Sequence, residues 1–314
     1  MEHFYAIAQK ILFIILLIGT GVFAKKMRWI SDAGEKDLSR VSVNFIFPAM
    51  LFSSIITTLS VEDVLSNLLL PALSLLIHFT GFVVGYVICR LAGYTGDRRK
   101  IFLLHATLNN FFAMALPFAL FFFPGKGAAL LAVANLGSTI VMWTAGVMLL
   151  VGNVSPRETV RNVFSPAMLA IVAGIFCVLS GFSRFIPRLV IDVIVTLGEP
   201  TLFLGLFIAG TQIYKLGRKA LRFNGWNILV GLSRNILIPA ILFAFAFLLR
   251  NAISKESLVI FMIVSITPAN VTTISLALKF DAPAELAAEG VVFTHALGIV
   301  TMIGFIMLIE KFLL

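Results

Sequence analysis

Ten apolar stretches of about 20 residues, divided by short polar loops, constrain this chain more than any other feature it has. At 1.5 Å of rise per residue, a helix of that length crosses a hydrocarbon core of roughly 30 Å. Hydrophobic residues make up 60% of the 314 and charged residues only 12%, where a soluble domain carries roughly 25% charged. Such a chain cannot hide its apolar side chains in a water-facing globule. The sequence predicts an all-α integral membrane protein, with spans near residues 4–24, 41–58, 66–89, 101–123, 128–151, 165–181, 189–214, 226–249, 258–278 and 284–309. Its first residues, Met1-Glu2-His3-Phe4, lack the basic region and small-residue cleavage site of a signal peptide, so the first apolar block is expected to stay as the first span.

The net charge of +9 does not point to nucleic acid, because the basic residues sit in loops between spans, as at Lys25-Lys26-Met27-Arg28, Arg98-Arg99-Lys100 and Lys215 to Arg222. With the N-terminus outside, 16 of the 24 Lys and Arg fall in cytoplasmic loops and 6 in external ones, leaving Lys10 and Arg234 within spans. The positive-inside bias therefore places both termini outside a plasma (inner) membrane. Cys89 and Cys177 lie in apolar segments without a CxxC or His/Cys cluster, and read as packing residues. No metal site or cofactor is expected.

Prolines supply an internal repeat. Pro48 in the second span and Pro200 in the seventh are 152 residues apart, and Pro117 in the fourth and Pro268 in the ninth are 151 apart. Five spans per half is an odd number, so the second copy enters the membrane upside down, as in many carriers. The expected organisation is a first five-helix repeat over 1–152, a connection over 153–163 and an inverted repeat over 164–314.

A proline inside a helix removes a backbone hydrogen bond and costs about 3 kcal/mol. At membrane depth, broken backbone is tolerated where it is buried in protein or lines a polar cavity, and the half-helix ends there carry about half a unit charge. Both broken spans add amides. The fourth reads Asn109-Asn110 and then Pro117; the ninth reads Thr267-Pro268-Ala269-Asn270-Val271-Thr272-Thr273. Asn109, Asn110, Pro117, Thr267, Pro268, Asn270, Thr272 and Thr273 form the candidate substrate site. Asparagine in a membrane helix also has a structural use, bridging helices at about 1 kcal/mol, and the sequence leaves both roles open.

Asn-x6-Pro in the fourth span and Pro-x-Asn in the ninth resemble the crossover-helix motifs of the auxin efflux carrier family, and the likeness extends over nearly the whole chain, as for a short member of that family. Pro48-Ala49-Met50-Leu51-Phe52 and Pro200 to Gly210 are similar to it too, while Phe112 and Ala115 stand where the family often has glycine. The resemblance implies crossed, broken helices 4 and 9, a scaffold of spans 1, 2, 6 and 7 that often dimerises, and a moving domain of spans 3 to 5 and 8 to 10. It also implies elevator-type secondary transport of a small organic anion, either a dicarboxylate such as malonate or malate or an auxin-like acid.

Ionisable residues at depth cost about 2.5 to 3.5 kcal/mol to insert. Glu199, Arg234, His78 and His295 are the deepest by sequence. Arg234 is a candidate to compensate a carboxylate, or a structural partner for Glu199; Glu199 and His295 are candidates for proton coupling. His105 and Glu289, about one turn from span ends, are expected at the interface, and runs such as Phe121-Phe122-Phe123 read as packing and lipid-facing surface.

A sodium-coupled symporter of the bile acid type shares the inverted plan, but its sites recruit carboxylates beside the crossing and none lies near Pro268 in sequence. A membrane receptor or channel would use the same pocket. An enzyme is disfavoured, since HExxH, GxSxG and paired acidic metal-diphosphate motifs are missing.

Overall fold

The computed structural model describes residues 2–112, 114–152, 155–216 and 222–314. In chain order its helices are α1 (Glu2–Lys26), α2 (Asp32–Val41), α3 (Phe47–Thr58), α4 (Val61–Ser66), α5 (Leu70–Leu91), α6 (Gly96–Thr107), α7 (Leu116–Phe122), α8 (Gly127–Val141), α9 (Val147–Val151), α10 (Pro156–Val163), α11 (Pro166–Leu179), α12 (Arg188–Gly198), α13 (Thr201–Leu216), α14 (Gly225–Leu232), α15 (Ile238–Leu248), α16 (Lys255–Ser265), α17 (Thr272–Lys279) and α18 (Ala284–Phe312).

Local chemistry explains many of these boundaries. Ser31, Ser165, Asn224 and Ser254 accept from backbone N–H groups at the starts of α2, α11, α14 and α16. Ser60 and Asp63 form a reciprocal capping box on α4. Pro48 and Pro239 do not break their helices: single π-helical turns at Ser42–Ile46 and Ser233–Leu237 precede them and absorb the missing hydrogen bond. Pro200 behaves differently and separates α12 from α13.

Among the described residues, six helical runs are long and apolar enough to cross a membrane: Asp32–Thr58, Val61–Leu91, Gly127–Val151, Arg188–Lys215, Gly225–Leu248 and Ala284–Phe312. A seventh is formed if α10 and α11, bent by 55°, count as one. The halves α6, α7, α16 and α17 contain 12, 7, 11 and 8 residues, each too short to cross alone.

Two packing groups emerge. In the first, α1 runs along α13, and α3 packs on α11 and α12. Gly21 and Gly210 bring α1 and α13 together, because a methyl group on either would strike the carbonyl of Phe207 or Ile18 respectively. In the second group α5 packs between α6 and α8, and α18 lies on α14 and α17. Its centre is dry: Ile101 to Thr107 of α6 and Ser257 to Ser265 of α16 are buried throughout. The outer faces differ, with 11% of the Arg188–Lys215 span buried against 50% of Gly127–Val151. The first group therefore presents the broadest apolar surface.

Candidate binding site at two paired helix breaks

The helix α6 ends at Thr107 and α16 at Ser265, and the chain beyond each is extended for a few residues. These strips run antiparallel, with Asn109 opposite Ala269. The Asn110 N–H donates to the Pro268 carbonyl at 2.7 Å, and the Asn270 N–H donates to the Leu108 carbonyl at 3.0 Å. The pairing is symmetric, so Asn110 and Asn270, 160 residues apart, occupy equivalent places. Pro268 lies in the strip, whereas Pro117 lies buried in the first turn of α7, where a missing N–H leaves no partner wanting. The two prolines that suggested an offset of 151 are not structural equivalents.

Each break frees carbonyls that no water can reach, and every buried polar group needs a partner. Arg234, with 0% exposure, supplies three. It donates from Nε to the Thr267 carbonyl at 3.0 Å, from Nη2 to that of Ser265 at 2.6 Å and from Nη1 to that of Ala106 at 3.3 Å. One cation thus caps both half-helices. His78 bonds the Thr107 carbonyl through Nδ1 at 2.7 Å and the Ser138 hydroxyl through Nε2 at 2.9 Å. Asn109, also buried, donates from Nδ2 to the Val264 carbonyl at 2.6 Å.

The sequence candidates therefore separate by environment. Asn109, Thr267 and Thr273 are buried, and both threonines turn their hydroxyls to nearby carbonyls, of Val264 and Asn270 respectively. Asn110 and Asn270 are half-buried and Thr272 is exposed. Asn270 Oδ1 accepts from the Thr272 N–H at 2.9 Å, an Asx turn just ahead of α17. Arg234 pairs with carbonyls and not with Glu199, which is exposed at the junction of α12 and α13. His105, expected at the interface, is 0% exposed; its ring fits against Gly290, and Thr273 Oγ1 lies 3.5 Å from Nδ1. Glu289 is likewise buried and pairs with Arg222 at 3.0 Å.

Beside Asn110 lies a cavity of about 220 Å³ where the two packing groups meet. Ile14, Ile15 and Ile18 of α1 and Ile213 of α13 form one wall. Met114, Phe118 of α7, and Val292, His295, Ala296, Ile299 and Met302 of α18 form the other. His295 is the one polar side chain among these. Its Nδ1 lies 2.8 Å from the Val291 carbonyl, which can only accept, so Nδ1 carries the hydrogen. Nε2 is then an acceptor, and the Asn110 amide donates to it at 3.2 Å. The apolar lining could not be read from sequence, since Ile14, Met114 and Ile213 look like any other lipid-span residues. A larger groove, about 890 Å³, lies between α1 and α13 and includes Trp29 and Phe203; its one hydroxyl, Thr20, is already bonded to the Leu17 carbonyl. That groove lacks chemistry for a polar ligand.

Several apolar spans define a polytopic membrane protein with a pair of helix breaks buried in its interior, and comparison with known proteins makes the class a membrane transporter. Residues 6–159, just under half of the chain, match the family described as membrane transport protein, which is of the auxin efflux carrier type. The chain is similar to the uncharacterized transporter MJ1031 of Methanocaldococcus jannaschii, 23% identical over 310 residues that cover 95% of this chain and 98% of the relative.

Proposed function

We propose that the protein is a secondary carrier of a small organic anion, a carboxylate with an apolar body of the auxin-like kind. The observation that carries this reading is the cavity at the crossing, whose walls are apolar except for His295, with the Asn110 amide directly behind it. Apolar walls take up a hydrocarbon body, and a few convergent polar groups orient it. A dicarboxylate such as malonate would leave one charge against isoleucine. The volume equals roughly seven waters at about 30 Å³ each, which suits a one- or two-ring acid such as indole acetate and is small for a steroid. Size thus argues against the bile acid type.

Charge argues in the same direction. Arg234 sits at the two half-helix C-termini, whose partial charges of about half a unit each sum to its own. The carbonyl ends are neutralised, while the opposite helix ends retain positive character for an anion.

In this reading α1, the α6–α7 pair and the α16–α17 pair add three spans to the seven above, making ten spans in two inverted halves. The group containing α1, α3, α11 and α13 serves as scaffold and dimer surface, and the group carrying the breaks moves against it. Both termini face outside the plasma membrane.

Uptake into proteoliposomes tests the reading. Indole acetate should enter in preference to malonate, tryptamine should not, and sodium should not be required. Uptake of the amine without the acid would reject it, and strict sodium dependence would favour the symporter.

A further inference from the structure

The cavity contains one titratable side chain and no carboxylate among its described lining residues. We propose that His295 takes up one proton for each carboxylate bound, so that anion and proton enter the site as a pair. This rests on the carboxylate reading above and names its coupling ion.

The argument begins with the neutral ring. Val291 holds the hydrogen on Nδ1, and Nε2 accepts from the Asn110 amide. A proton added at Nε2 would oppose two donors, so the Asn110 amide must turn over to offer Oδ1, or release the ring to a ligand. Either change alters what the cavity presents. An imidazolium there also needs a counter-ion, because a lone buried charge is expensive.

The described residues offer none nearby. On α18 itself, Glu289 is held by Arg222. From the neighbouring elements, Arg234 is bound to carbonyls, His105 contacts Thr273, Lys215 of α13 is paired with Asp32 and Glu35, and Lys279 of α17 lies over the Trp143 and Phe280 rings. The described residues of α1 and α7 that line the cavity are apolar. The missing negative charge must then arrive with the ligand. A carboxylate, ionised above about pH 4, supplies it, and anion and proton favour each other's binding by linkage.

Isothermal titration of purified protein with indole acetate, in two buffers of different ionisation enthalpy, counts the protons. The wild type should take up one proton per anion, with affinity falling about tenfold per pH unit as pH rises through that range. His295→Gln keeps an amide able to meet Asn110 and should bind with no proton uptake and no pH dependence. A wild type that binds the acid without proton uptake overturns the proposal and leaves the carboxylate reading intact, whatever the variant does. Proton uptake that persists in a folded His295→Gln protein also overturns it. Failure of the wild type to bind any carboxylate removes both readings.

Discussion

Arg234 donates from Nη2 to the Ser265 carbonyl at 2.6 Å, and the same guanidinium reaches Ala106 at the end of the other half-helix. A buried cation without a carboxylate is stable here because two helix C-termini, each worth about half a negative charge, converge on it. The π-helical turn at Ser233–Leu237 carries Arg234 and ties a third span to the crossing.

Replacing Arg234 by methionine leaves three buried carbonyls without a donor, at about 1 to 3 kcal/mol each. Since a folded protein has about 5 to 15 kcal/mol in hand, Arg234→Met should melt far below wild type in detergent or fail to fold. Arg234→Lys, a single point charge, should fall between the two. A methionine variant with unchanged melting but weakened carboxylate affinity would instead put Arg234 on the substrate.

The scaffold pair rests on two glycines. Gly21→Ala and Gly210→Ala each place a methyl group on the backbone of the facing helix, so α1 and α13 must separate. Each variant should melt several degrees lower. Substitution at Gly19, whose missing Cβ faces open space, should leave melting unchanged. Equal behaviour of Gly19 and Gly21 variants would contradict the packing.

The 16 to 6 distribution of basic residues predicts the orientation. Lys36 is exposed on α2, and a cysteine there should react with a membrane-impermeant reagent only from the cytoplasmic side. The matching position Arg218 lies outside the described residues. Labelling of Lys36→Cys in intact cells would invert the topology.

Part of the fold was legible because lipid imposes a strong rule: six of the apolar runs are helical runs of span length among the described residues, and amides mark the two places where helices break. The register of the crossing was not legible. Pro117 and Pro268 are matched in sequence, but Pro268 sits within its break and Pro117 beyond its own, and only the backbone pairing of Asn109 with Ala269 sets the equivalence. Arg234 and His295 stood out as ionisable residues at depth, yet their partners are carbonyls and an amide more than 25 residues away or on another helix, except Val291. No local pattern encodes such pairs. The cavity walls were invisible for a further reason, since α18 is apolar on every side and its periodicity cannot separate lipid from ligand.

The central claim is that the crossing presents Asn110, and by symmetry Asn270, to a carboxylate, while Asn109 serves structure. Calorimetric affinity for indole acetate, measured with melting temperature on Asn109→Ala, Asn110→Ala and Asn270→Ala, tests it most directly. Loss of a polar partner in a water-poor site costs about 1 to 3 kcal/mol, so affinity should fall about 5- to 150-fold in the Asn110 and Asn270 variants. Asn109→Ala should instead melt lower, having lost its bond to the Val264 carbonyl, and keep its affinity. Unchanged affinity in both the Asn110 and Asn270 variants would contradict the account.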